Sequence, residues 1–255
     1  MTDPLFDVAN RVVLVTGGSR GLGAAISTGL ARRGARVVVA SRKLAACEEL
    51  ASAIVEAGGQ AHPIACHVGD WESLDRVVEA AVSHWGRLDG LVNNAGISPV
   101  APSLLETSET LFDKVIGVNL KGPTRLTALA ARAMTENGGG SIVNISSLVS
   151  IKPTPIAAVY STAKAGLNAL TKAAAVEYAG TGVRVNGIVC GTFDTDATSG
   201  FVRNPDLLPD VVAPIPLRRV GRPDEIVGTA IYLLSDASSY TTGSLISVDG
   251  GAAAA

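Results

Sequence analysis

The sequence is poor in the residues that mark most alternatives to an ordinary globular enzyme. Cysteine occurs only at Cys47, Cys66 and Cys190. The number is odd, the spacings are wide and no C-x-x-C pair exists, which argues against a disulfide scaffold, a zinc knuckle and a redox dithiol. Buried or indifferent free thiols are expected. Histidine is as scarce, and His62, His67 and His84 form no H-E-x-x-H pattern, so no metal is expected. Charged residues make up 17% and the net charge is −2, with no long run of either sign. The basic stripe of a nucleic-acid binder is missing. The longest apolar runs, such as 12–15 and 37–40, are strand-sized and far short of a bilayer span. Met1-Thr2-Asp3-Pro4 carries no basic stretch leading into an apolar run, so no secretory leader is expected. These absences lead us to expect a soluble, cytoplasmic protein with no membrane partner.

What is abundant is core material. Hydrophobic residues make up 47% of 255 positions, the reverse of a disordered composition. Short runs rich in Val and Ile fall at 12–16, 36–41, 61–66, 90–93, 141–146, 184–189 and 245–248. Near-continuous apolarity is how strands covered on both faces of a parallel sheet read. Helix-length amphipathic stretches lie between them, at 21–33, 44–57, 71–85, 108–134, 160–178 and 224–234. This alternation predicts an α/β fold: a doubly wound, Rossmann-type parallel sheet of about seven strands with helices on both faces. No linker divides the chain, so residues 1–255 are expected to form one domain. One segment, 192–216, breaks the rhythm with Gly200, Pro205, Pro209, Pro214 and Pro216. A long irregular stretch after the sixth strand suits a mobile substrate lid.

The first strand runs into Thr16-Gly17-Gly18-Ser19-Arg20-Gly21-Leu22-Gly23 and then a helix. Glycines allow a tight turn and close backbone approach to a diphosphate, and the helix start offers free N–H groups. A glycine-rich turn alone is weak evidence; between a strand and a helix it marks a dinucleotide site. The second strand ends at Ser41-Arg42-Lys43, where an NAD site usually places an acid. Ser41 and Arg42, with Arg20 from the turn, suit a 2′-phosphate, which a carboxylate would repel. The expected cofactor is NADP(H), with NAD(H) the lesser alternative.

Tyr160-Ser161-Thr162-Ala163-Lys164 sets a tyrosine and a lysine four apart, on one helix face. A nearby ammonium should lower the phenol pKa from about 10 toward neutrality, making Tyr160 a workable general acid and base. The spacing is common by chance and gains meaning from the turn upstream.

With these motifs in order, the chain resembles the single-domain branch of the short-chain dehydrogenase/reductase family from Val12 to Gly251. Gly17, Gly21 and Gly23 match its glycine turn, in which Leu22 also lies. Asn93-Asn94-Ala95-Gly96 matches its N-N-A-G segment, and Asn119 its catalytic asparagine. Ser147 stands 13 residues before Tyr160, where the family places its catalytic serine; Ser146 is the rival, and that spacing decides against it. The resemblance implies roles. Ser147 binds the substrate oxygen and orients Tyr160, Tyr160 exchanges the proton, and Lys164 holds the nicotinamide ribose. Asn119 holds a water that links Lys164 to solvent. Two positions depart from the family. His67-Val68 stands where an Asp–Val pair is frequent, so the carboxylate contact to adenine is missing while a backbone contact remains. Cys190-Gly191 replaces a Pro–Gly turn, with Gly191, Thr192, Phe193 and Thr195 placed near the nicotinamide amide.

The reaction so implied is hydride transfer between nicotinamide and a ketone or secondary alcohol. Phe201, Val202, Leu207, Leu208, Val211 and Val212 in the lid, with Ile151, Pro153 and Pro155, suggest a hydrophobic small molecule over a sugar. The alternatives are a 3-oxoacyl-carrier-protein reductase and a redox-inactive NADP-binding regulator. The stretches 135–140 and 179–183, which match the family's carrier-docking positions, hold no Lys or Arg, and Tyr160 and Lys164 are both present. The resemblance also implies a homotetramer or homodimer built on 108–134, 160–178 and the tail.

Overall fold

The computed structural model describes residues 4–255; the reading of Met1-Thr2-Asp3 as no leader falls outside them. Seven strands form one sheet: β1 Val12–Thr16, β2 Arg36–Ser41, β3 Gln60–Ala65, β4 Gly90–Asn93, β5 Gly140–Ser147, β6 Val183–Cys190 and β7 Leu245–Val248. They lie in the order β3-β2-β1-β4-β5-β6-β7, and every pairing is parallel. The chain order reverses between β1 and β4, the crevice where such sheets bind ligands.

The side-chain alternation of β1 builds a core on each face. Val13 and Val15 join Ile26 and Leu30 of helix α1 (Gly21–Ala31), Ile54 of α2 (Leu44–Glu56), and Ile231 far along the chain. Val12 and Leu14 join Leu74 and Val77 of α3 (Leu74–Trp85), together with Leu126 and Met134. All of these except Ile54, Val77 and Ile231 are fully buried, each contributing about 1.5–3 kcal/mol of apolar transfer. The edge strands depart from the expected two-sided burial. Strand β3 is only half-covered and carries Pro63, which an edge tolerates because one side needs no ladder donor. Strand β7 is half-covered as well.

The expected helix 108–134 is divided. Helix α4 spans Glu109–Ile116, a π-turn spans Gly117–Lys121, and α5 runs Gly122–Glu136. A Cβ on Gly122 would lie 2.0 Å from Val68 O, so this close crossing requires glycine. The π-turn carries Asn119, which is fully buried. Such bulges concentrate at functional sites. Helix α6 covers Ala158–Tyr178, starting two residues earlier than expected behind a short turn at Pro155–Ala157. The segment 192–216 is not structureless: α7 (Ser199–Val202) and α8 (Leu208–Val212) form within it, and α8 has proline in its first turn. A 3₁₀ turn, Pro223–Ile226, leads into α9 (Val227–Leu234). Among the described residues no helix is long and apolar enough to cross a membrane.

Candidate active site

The expected site residues gather at the carboxyl ends of the strands. Gly17 (φ +61°) and Gly21 (φ +55°) take the left-handed conformation that side chains resist. A Cβ on Gly17 would lie 2.9 Å from Ala95 Cα, and one on Gly23 would lie 2.1 Å from Gly17 O. The turn is therefore packed backbone on backbone. Asn94 fastens it, its Nδ2 donating to Thr16 O (2.9 Å) and Gly17 O (3.1 Å). Thr16 Oγ1 accepts from the backbone N–H of Asn94 (3.0 Å) and of Ala95 (3.1 Å). Arg20 at the N-cap of α1 makes no side-chain cap, so the first-turn N–H groups face outward for an anion.

At the end of β2, Ser19 Oγ lies 2.9 Å from Ser41 Oγ, tying the turn to this strand. Arg20 and Arg42 are exposed, and no acid stands at 41–43. His67 is exposed and turned onto its own loop, its Nδ1 accepting from Gly69 N at 3.2 Å, while Val68 is buried. Leu22 packs on the core behind the turn.

The catalytic candidates meet at the ends of β5 and α6. Tyr160 is half-buried, and the Ser147 hydroxyl near it favours the phenolate. Lys164 is buried, donates to Ile145 O at 2.7 Å and lies 5.8 Å from the Tyr160 ring centroid. Burial lowers the Lys164 ammonium to about 8, with the nearby Cys190 thiol opposing the shift. The direction expected for Tyr160 is reversed. Burial raises the phenol to about 12; the Ser147 hydroxyl opposes this and Cys190 adds to it. The desolvation of the phenolate outweighs what its neighbours give it. Asn119 Nδ2 donates to Ile97 O (2.9 Å) and Val115 O (3.0 Å), and its Oδ1 accepts from Ile97 N (3.2 Å). A Cβ on Gly96 would meet Asn119 Oδ1 at 2.9 Å and Lys164 Nζ at 3.8 Å, so both reach the bare backbone of Gly96.

Strand alternation separates the two serines. Ser146 is buried, its Oγ 3.4 Å from Lys164 O and 3.3 Å from Ser150 Oγ, while Ser147 acts on the Tyr160 phenol. Cys190 is buried, and burial pushes its thiol up to about 12 even beside Lys164, which lowers it. That is a spacer and not a nucleophile. Gly191 presses on Asp249, with its would-be Cβ 2.6 Å from Asp249 Cα. Phe193 is buried against Gly221, and Thr192 and Phe193 line a cavity of about 110 Å³ with Leu217 and Val248. A wider hollow of about 390 Å³ between Ala24 and Val227 contains none of the expected site residues. The structure adds Thr16, already described, and Thr198 at the start of α7, which no sequence motif marks.

A family model described as enoyl-(acyl carrier protein) reductase matches residues 17–253. Dehydrogenase/reductase SDR family member 4 of Bos taurus is 36% identical, over 95% of this chain and 87% of its own. The chain belongs to the short-chain dehydrogenase/reductase family. It is therefore an oxidoreductase acting on alcohol and carbonyl groups of small molecules with a nicotinamide cofactor. A short-chain type dehydrogenase/reductase from Mycobacterium marinum superposes with a TM-score of 0.91 at 36% identity, covering 97% of each chain. A protein from Beutenbergia cavernae, provisionally assigned as an NAD(P)-dependent gluconate 5-dehydrogenase, reaches 0.94 at 36% identity, covering 98% of this chain and 100% of its own. That structure holds NADP at low occupancy. The dinucleotide fits this family member in its own right: the first turn of α1 carries no side-chain cap and so keeps its N–H groups for a diphosphate, and no acid stands at 41–43 to repel an anion.

Proposed function

We propose that this protein is an NADP(H)-dependent reductase or dehydrogenase of a ketone or secondary alcohol, with Tyr160, Ser147, Lys164 and Asn119 as its catalytic group. The observation that carries the reading is Lys164 Nζ 5.8 Å from the centroid of the Tyr160 ring, with the Ser147 hydroxyl acting on the same phenol. With its phenol raised to about 12, Tyr160 holds its proton at neutral pH and rests as a general acid. Ser147, beside it, would share the same substrate oxygen. Lys164 and Asn119 converge on Gly96, where a ribose and a relay water would be received. The cofactor supplies the hydride; the protein supplies position and the proton.

The NADP(H) preference rests on Ser41, Arg42 and Arg20 and on the missing carboxylate at 41–43. Neither arginine has an acidic partner among the described residues. Gly17, Ser19, Gly21, Leu22 and Gly23 would take the diphosphate. Val68, Asn94, Ala95 and Gly96 would line the adenosine and ribose, with His67 beside them. Gly191, Thr192, Phe193 and Thr195 would take the nicotinamide.

We read residues 192–216 as a substrate lid on one domain spanning the chain. Its exposed Phe201 and Leu207 support an apolar substrate, although the provisional assignment of the Beutenbergia protein concerns a sugar acid. The description of the matching family model keeps a carrier-bound thioester as a second reading. We place the protein in the cytoplasm, as a homotetramer or homodimer; a monomer by light scattering would refute the assembly. The central test is an NADPH-absorbance screen of ketones and an acyl-carrier thioester, with NADH in parallel. Turnover of apolar ketones with NADPH is expected; faster turnover with NADH would overturn the assignment of Arg42.

A further inference from the structure

The loop assigned above to the nicotinamide is held by a side chain that no motif marks. Thr198 is the N-cap of α7, and its backbone carbonyl accepts from Phe201 N (2.9 Å) and Val202 N (3.0 Å). A threonine at this position ordinarily caps the helix with its hydroxyl. This one does not. Its Oγ1 turns back into the loop, lying 2.5 Å from Phe193 O, 3.1 Å from Thr195 O, 3.1 Å from Thr195 N and 3.2 Å from Thr195 Oγ1.

A hydroxyl carries one proton. The shortest contact takes it, so Thr198 donates to Phe193 O and accepts from the backbone N–H of Thr195. It also accepts the Thr195 hydroxyl proton, which leaves Thr195 Oγ1 with lone pairs to offer elsewhere. Thr195 stands against the glycine turn, where a Cβ on Gly21 would lie 3.5 Å from its Cβ and Cγ2. Asp194, within the same loop, accepts from Arg203 Nε at 2.9 Å, just past the end of α7. Thr198 is thus a joint, with its carbonyl on the lid side and its hydroxyl on the loop side.

We propose that Thr198 is a positioning residue for the nicotinamide end of the cofactor. It sets Thr195 as an acceptor for an amide N–H and fixes the loop to the first helix of the lid. This rests on the reading that residues 191–195 receive the nicotinamide. It concerns one end of a dinucleotide, so it predicts a split between the two ends that general damage to the fold would not produce.

Thr198→Val removes the hydroxyl and keeps the shape. Calorimetric affinities for NADPH and for 2′,5′-ADP, which has the 2′-phosphate but no nicotinamide, are compared in the wild type, Thr198→Val and Thr198→Ser. NADH and 5′-AMP are run in parallel. Thr198→Val is expected to weaken the dinucleotide about tenfold and leave the fragment within about twofold, with Thr198→Ser restoring the loss. Unchanged dinucleotide affinity, or equal loss for dinucleotide and fragment, overturns the proposal. A wild type that binds NADPH no better than the fragment overturns the reading of the loop instead. A wild type that binds neither dinucleotide overturns the cofactor reading.

Discussion

The glycine turn and the lid segment lie at the same edge of the sheet and are built by opposite means. The turn is held by contacts that leave no room: backbone on backbone at Gly17 and Gly23, and Asn94 bonded across the gap. The lid is held by short helices and by the surface pair Arg203–Asp194, with Phe201 half-exposed at 53%. A close-packed element tolerates few residue types at fixed spacing. A surface segment tolerates many, and can be changed for a new substrate without disturbing the turn.

The sharpest test acts on the close-packed side. Tyr160→Phe removes the proton donor and keeps the ring in place. Turnover should fall about 10²–10⁴-fold while NADPH still binds, read by rate and by calorimetry on one preparation. Turnover within about tenfold of wild type would move the proton donor to another residue.

Lys164 offers a second test, through stability. Its folded value of about 8 lies below the 10.5 of an unburied lysine. The unfolded chain therefore binds the proton between those values and the folded one does not. Stability is fully present above the unfolded value and is lost as pH falls through the folded one. Tyr160, raised to about 12, acts in the opposite sense only above its ordinary value of 10.0, and the buried thiols of Cys66 and Cys190, also raised to about 12, do so from their ordinary 9.0, which leaves pH 8–9 as the clean window. Across it the protein without cofactor should gain about 1 kcal/mol against denaturant, a slope that Lys164→Met removes. A slope identical in the two proteins would mean that Lys164 stays charged when buried.

Gly23→Ala tests the packing of the turn itself. A Cβ 2.1 Å from Gly17 O forces the backbone apart, and about 1–3 kcal/mol of stability should be lost, with NADPH affinity falling alongside. Loss of affinity at full stability would show the turn to be adaptable, as the lid is.

The contrast also accounts for what could be read from residues alone. The seven parallel strands with helices on both faces follow from the alternation of apolar runs and amphipathic stretches, and Ser147 and Asn119 were found beside Tyr160 and Lys164 through the family resemblance. The π-turn between α4 and α5 was not legible from periodicity alone; Gly122 at its end lies against Val68 O, a contact between residues far apart in sequence. The Tyr160 pKa was misread because helix spacing reports proximity to Lys164 and not the burial of the phenol itself, which disfavours its charged form. Thr198 escaped because its hydroxyl serves the preceding loop and not the helix it begins.

Two smaller effects separate the regions again. Arg42→Ala should weaken NADPH about tenfold and leave NADH unchanged, since a single charge-assisted contact is lost. Phe201→Ala should do the reverse and leave both cofactors alone. Its side chain is half-exposed, so melting should shift little, within about 0.5 kcal/mol. The KM for bulky apolar ketones should rise several-fold while that for the smallest ketone holds. A rise in the NADPH Kd with Phe201→Ala would erase the division, because the apolar side chains of the lid, beyond residues 192–195 and Thr198, would then belong to the cofactor site and not to the substrate.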